Sequence, residues 1–199
     1  ISRSNYDHQP RMSARALTMY HYFCINRRIG HGNFGITTFS RFPIIKTKRF
    51  DLSYGLKREP RGLSRTDLVM DNTHVVQVFN VHLGLNMRER QFQLRKMLSE
   101  SMLMDESLGC PKIILGDFND SILSVVHNRL GRHFQNVIKS KPKKYSPTFK
   151  VGPIGLRLDH IYVNHRIKAL GFHVVNIPLA RVASDHLPLV ANLEIISSE

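Results

Sequence analysis

Two apolar runs end in residues able to do acid–base or metal chemistry. In Lys112 to Phe118 (KIILGDF) and the residue beyond, period-2 alternation puts Ile113, Leu115, Asp117 and Asn119 on one side, so two core positions lead into a carboxylate and an amide on the same face. In Thr73 to Leu83 (THVVQVFNVHL) the same alternation groups Val76, Val78, Asn80 and His82, and the polar pair again comes last. Two strands ending in matched polar residues read as two walls of one site, although either alone also fits a strand end reaching solvent. Ser184-Asp185-His186 stands before the apolar run LPLVANL, and Asp159-His160-Ile161 opens a further strand. A contiguous Ser-Asp-His is no hydrolase triad, because neighbouring extended residues point oppositely, and the sequence holds no H-E-x-x-H. Carboxylates with imidazoles suit phosphodiester hydrolysis, where negative charge builds on the phosphate oxygens and a hard cation stabilises it. Mg²⁺ takes one or two protein carboxylates and fills the rest of its shell with water and phosphate, so a sparse carboxylate site is the expected form.

The elements that must position these groups are short. Thr73 to Leu83 is apolar on both alternating faces and reads as a central strand, as does Lys112 to Phe118. Between them, Leu94, Met97, Leu98, Ser101 and Met102 recur at helical spacing, predicting an amphipathic helix within Arg88 to Leu103. A second short helix is expected over Ser121 to Leu130, with Asn119 or Asp120 as N-cap and Gly131 as its stop. Further strands are expected at Gly35 to Phe39, Leu158 to Val163 and Leu187 to Ile195. No linker divides the 199 residues, which read as a single domain, and strongly apolar strands needing cover on both faces imply a layered α/β sandwich.

The motifs GDFN, N-x-H on a strand, D-H-I-Y-V, and SDH ahead of an apolar strand together resemble the endonuclease/exonuclease/phosphatase superfamily, the metal-dependent phosphodiesterases and phosphatases related to pancreatic-type deoxyribonuclease and exonuclease III. Gly35 to Pro43 (GITTFSRFP), Glu59 to Gly62 (EPRG), Asn80 to Leu83 (NVHL) and Ser146 to Phe149 (SPTF) resemble other family elements, in the family's order. The resemblance implies a four-layer α/β/β/α sandwich. It also implies that Asp117 orients or deprotonates the attacking water, with Asn119 beside it holding phosphate and nucleophile. Asp185 would be a metal ligand, for Mg²⁺ or alternatively Mn²⁺. His186 would contact the scissile phosphate, Asp159 would accept its other ring N–H, and His82 would be a second donor to the phosphate oxygens. Asn80, Arg61 and Arg41 would be substrate contacts. Family members open with an Asn-bearing strand and a second strand ending in Q-E, whose Glu is a principal metal ligand; the sequence opens just after that point, so the sandwich is expected to be N-terminally incomplete and this chain to turn over poorly. Glu59 and Glu89 are acidic residues that sequence alone does not place at the metal.

Lys and Arg number 29 against 15 Asp and Glu, a net charge of +14, which favours a polyanionic partner. The basic residues concentrate in Arg41 to Arg65 and Lys139 to Lys150, which on the family fold could flank the site and track a nucleic-acid backbone. Phe42, Phe50, Tyr54, Tyr145 and Phe149 are candidate stacking residues, with burial the commoner fate of Phe. Nucleic acid is therefore the favoured substrate; the alternatives are phosphoinositide or phospholipid head groups, with an anionic membrane as partner, or a catalytically inactive basic binding module. No protein partner is indicated. No apolar run approaches the ~20 residues of a membrane-spanning helix, the opening residues have no signal-peptide core, and Cys24 and Cys110 lack the spacing of a disulfide framework or zinc site, which is compatible with reduced thiols and leaves localisation unassigned.

Overall fold

The run read as a central strand forms one, Val75–His82, with both faces buried, because β-branched and aromatic side chains alternate with few polar ones. This is the fifth strand in a computed structural model of the chain, which describes residues 8–71, 74–107, 109–140 and 146–196. Of the expected elements, Thr73 and residues 141–145 of the basic run Lys139 to Lys150, with the stacking candidate Tyr145, lie outside the described residues. The chain gathers into two compact units, residues 1–110 and 111–199.

The first unit contains α1 (Gln9–Leu17), β1 (Tyr20–Ile29), β2 (Gly32–Ser40), β3 (Ile44–Asp51), β4 (Gly62–Val69), β5 (Val75–His82) and α2 (Met87–Met97). β1 and β2 form an antiparallel hairpin, turned at Gly30 with φ +55°. β3, β4 and β5 pair antiparallel in that order, with Ser64 opposite Asn80. β4 is buried along nearly its whole length and carries Arg65 and Asp67 on one face, where Arg65 Nε and a terminal nitrogen meet the two Asp67 oxygens at 2.7 and 2.8 Å. The helix expected within Arg88 to Leu103 is α2, capped by the Asn86 side chain and ending at Met97. Beyond it, Ser99 and Ser101 bond to each other, and Met102 and Met104 donate to the Ser99 carbonyl, so a turn replaces the last helical residues while Leu103 stays fully buried.

The second unit contains β6 (Lys112–Asp117), α3 (Val125–Leu130), β7 (Gln135–Asn136), β8 (Phe149–Val151), β9 (Ile154–Leu156), β10 (Asp159–Val163), β11 (Ile167–Val174), α4 (Pro178–Ala183) and β12 (Leu189–Ile195). β10 pairs with β6 on one side and β7 on the other; β8 pairs with β9, and β11 with β12. Val137, Ile138, Val163 and Ile167 form the heart of its core. The second helix starts later than expected. Ser124 caps it, accepting from the His127 N–H, while the Asp120 carboxylate accepts from Ser121 N–H and Asn119 sits in a turn of its own. Gly131 is the C-cap, with helical φ and ψ. Antiparallel sheets with helices give the mixed α/β architecture expected from the sequence. Among the described residues no helix is long and apolar enough to cross a membrane, and no disulfide joins Cys24 to Cys110.

Candidate active site

β6 and β10 pair with Asp117 directly opposite Asp159. Carboxylates facing each other across a strand pair repel unless a donor or cation comes between them. His186 supplies a donor: its Nδ1 lies 2.7 Å from Asp159 Oδ2, and its Nε2 lies 3.9 Å from Asp117 Oδ2. Because a carboxylate only accepts, Nδ1 carries the proton of the short bond, and Nε2 is the ring atom on the Asp117 side. Candidate ligand atoms of Asp117, Asp159 and His186 all fall within 4.8 Å of one another. Burial alone would pull the His186 imidazole down, but the hydrogen bond and charge of Asp159, then the charges of Asp117 and Asp185, outweigh it and hold its pKa above the ordinary histidine value.

The backbone explains why this cluster forms. Gly116 has φ +136°, a conformation open to glycine, and Asn119 has φ +49°, the left-handed region Asn tolerates. Between them the Phe118 N–H donates to the Leu158 carbonyl and the Asn119 N–H to Asp117 Oδ1 at 2.8 Å, so the end of β6 closes into a tight turn with the carboxylate fixed. GDFN is thus a backbone device as well as a set of functional groups. Thr148, fully buried, holds the opposite wall: its hydroxyl oxygen accepts from the N–H groups of Leu158 and Asp159, and its carbonyl accepts from Leu187 N–H. Its neighbour Phe149 bridges His186 through the backbone and lays its ring against the imidazole at 4.8 Å between centroids. Thr148 was legible as a family element, but nothing in its type announced that it ties two site segments together.

Two further histidines support the turn from inside. His160 Nε2 donates to the Asp120 and Arg157 carbonyls at 3.1 and 3.2 Å, and His127 Nε2 donates to the same Asp120 carbonyl at 3.3 Å. Their other ring nitrogens therefore accept, from Asn136 and from the Tyr162 hydroxyl respectively. Burial first, then the His127 charge, depresses the His160 pKa to about 3, so the His160 ring is read as a neutral donor to a fixed carbonyl. Burial likewise raises the Tyr162 hydroxyl. The sequence showed His160 within D-H-I-Y-V, but its inward orientation depends on strand pairing.

The remaining expected residues are distributed as follows. Asp185 lies outside the three-residue cluster and lines a neighbouring cavity, though its charge reaches His186. Asn80 and His82 belong to the first unit: the Asn80 amide donates to the Thr37 carbonyl and Thr38 hydroxyl, and His82 ends β5 half-buried. Arg41 is exposed. Arg61 is only 4% exposed and pairs with Glu59 at 3.0 Å, and Arg65 is buried against Asp67, so part of the basic run from Arg41 to Arg65 is interior ion pairing rather than surface. Glu89 is also buried, accepting from Gln93.

The family model of the endonuclease/exonuclease/phosphatase family matches residues 4–186. The chain belongs to this family. Members of the endonuclease/exonuclease/phosphatase family are metal-dependent nucleases and phosphoesterases, and the chain carries a cluster of two carboxylates and a histidine able to coordinate a metal. Similar solved structures include a conserved protein of unknown function from Enterococcus faecalis V583, with TM-score 0.77, 23% identity, and coverage of 94% of this chain and 81% of that one. A mannosyl-6-phosphatase from Bacteroides thetaiotaomicron superposes with TM-score 0.76 at 20% identity, covering 94% of this chain and 82% of that one. The human Nocturnin catalytic domain with bound sulfate does so with TM-score 0.76 at 18% identity, covering 96% of this chain and 77% of that one. These likenesses establish the fold, the family's mixed α/β sandwich. No curated protein matches the sequence.

Proposed function

We propose that the chain is a divalent-metal-dependent phosphodiesterase of nucleic acid, built on Asp117, Asp159 and His186. The observation that carries this reading is the pair of opposed carboxylates with a histidine hydrogen-bonded to one and 3.9 Å from the other. The donor set fits Mg²⁺ or Mn²⁺: such a cation prefers carboxylate oxygens and keeps water in its shell, and it relieves the repulsion between facing carboxylates. Asp117 and Asp159 would be the anionic contacts, with Asp185 outside the cluster as a proposed further one, and the metal would supply charge stabilisation at the phosphate oxygens. The chain's own groups do the rest. Asp117 accepts the proton of the attacking water. Asn119, fixed beside it, orients the nucleophile and phosphate. His186, its ring held by Asp159, presents Nε2–H to a developing oxyanion.

Net charge of +14 favours nucleic acid, with its many phosphates, over a singly charged diester. The test is competition: single-stranded oligonucleotides and inositol phosphates are titrated against the same fluorescent oligonucleotide at 50 and 200 mM salt. Oligonucleotides compete far better, and affinity falls by roughly 10-fold or more across that salt range if several phosphates are contacted. Preference for inositol phosphates, or salt-independent affinity, overturns the nucleic-acid assignment.

A further inference from the structure

Beside the cluster lies a cavity of about 200 Å³ whose walls include Thr148, Lys150, Asn176, Arg181 and Asp185. It shares its supports with the candidate centre: Thr148 holds the Asp159 N–H, Asp185 precedes His186, and Lys150 follows Phe149, whose ring lies on His186. Arg181 Nε donates to Asn176 Oδ1 at 2.7 Å, which fixes the guanidinium plane at the mouth of the cavity through one donor of its fork. We propose that this cavity binds a second phosphate of the substrate, the one adjacent to the phosphate being cleaved. The inference rests on the phosphodiesterase reading and narrows it: the preferred substrate is a chain carrying consecutive phosphates rather than an isolated diester.

The chemistry is that of anion recognition. Lys150 contributes a point charge and Arg181 a planar fork that matches phosphate oxygens, against the single carboxylate of Asp185 in the same wall. The aliphatic stems of both basic residues, with Leu187, give the cavity an apolar lining that suits the carbon atoms joining two phosphates. Arg181 stands on α4, a helix with no buried residue, so the core does not require that side chain.

The test compares thymidine dinucleotides with and without an additional terminal phosphate: TpT, pTpT and TpTp, with Mg²⁺ and Mn²⁺. One of the phosphorylated dinucleotides shows a KM lower than that of TpT by about tenfold, equivalent to ~1.4 kcal/mol, and the Lys150→Ala/Arg181→Ala protein loses that advantage. Equal KM values for all three, or an advantage that survives the double substitution, overturns the subsite. If no dinucleotide is cleaved, the phosphodiesterase reading fails separately, and the subsite is read by titrating inorganic phosphate while following the Arg181 Nε–H resonance. A saturable shift, absent after Lys150→Ala, supports the subsite; an unmoved resonance overturns it.

Discussion

Asp159 faces Asp117 across the β6–β10 pair and accepts the Nδ1–H of His186 at 2.7 Å, so one carboxylate sets the orientation of the ring that stands beside the other. Asp159→Asn keeps the shape but removes the charge and permits the amide to present a donor to the ring. Turnover of bis(p-nitrophenyl) phosphate is expected to fall roughly 10²-fold or more, with KM little changed, and His186→Ala to fall by at least as much. Parallel kinetics on both variants check this; a change confined to KM contradicts it.

Thr148→Val is nearly isosteric and deletes the oxygen that accepts from two backbone N–H groups. Leaving buried donors unsatisfied costs about 1–3 kcal/mol, so thermal unfolding moves to lower temperature and activity falls as the start of β10 loosens. Thr148→Ser restores the acceptor and most of both losses. Equal behaviour of the Val and Ser proteins shows that packing, not the hydrogen bonds, holds this segment.

The inward histidine predicts sensitivity to acid. The folded-state pKa of His160, about 3, lies below its unfolded value, so the unfolded chain takes up a proton below about 6.5 that the folded chain refuses. The stability contributed by the neutral ring is complete above that value and is lost as pH falls towards about 3, at up to about 1.4 kcal/mol per pH unit. Urea unfolding at pH 7 and pH 5 measures it, with His160→Gln as the non-titrating control. A control with the same pH slope refutes the assignment.

In the first unit, Arg65 and Asp67 are 5% and 2% exposed and make a two-bonded ion pair within β4. Arg65→Met leaves a buried carboxylate without its main counter-charge and is expected to cost about 3–5 kcal/mol, whereas Arg65→Met with Asp67→Leu recovers much of the loss. Chemical denaturation of the two proteins distinguishes this pair from a surface contact, for which both changes would be nearly silent.

These features mark where sequence reasoning ends. Alternation placed Asp117 and Asn119 at the end of an apolar strand, and strand patterning located β5, β6, β10 and β12 to within two residues. It missed β3, whose burial pattern is mostly exposed, and β4, whose Arg65 and Asp67 disguise a buried strand because their pairing is visible only in three dimensions. The cap of α3 went to Ser124 because the left-handed turn at Asn119 and the Asp120 carbonyl were committed to holding the site. Arg61 read as a surface cation for the same reason that Arg65 did: a charge run shows composition but not which of its members are buried against an acid.

The most direct measurement is Mn²⁺ binding, followed by the electron spin resonance of the free ion, for the unaltered protein and for its Asp117→Asn and Asp71→Asn forms. A cation centre on the opposed carboxylates gives a saturable site that Asp117→Asn weakens about tenfold or more, while Asp71→Asn, on an exposed turn, leaves it as it was. Identical Mn²⁺ binding by the unaltered and Asp117→Asn proteins would contradict a metal-dependent centre at Asp117, Asp159 and His186.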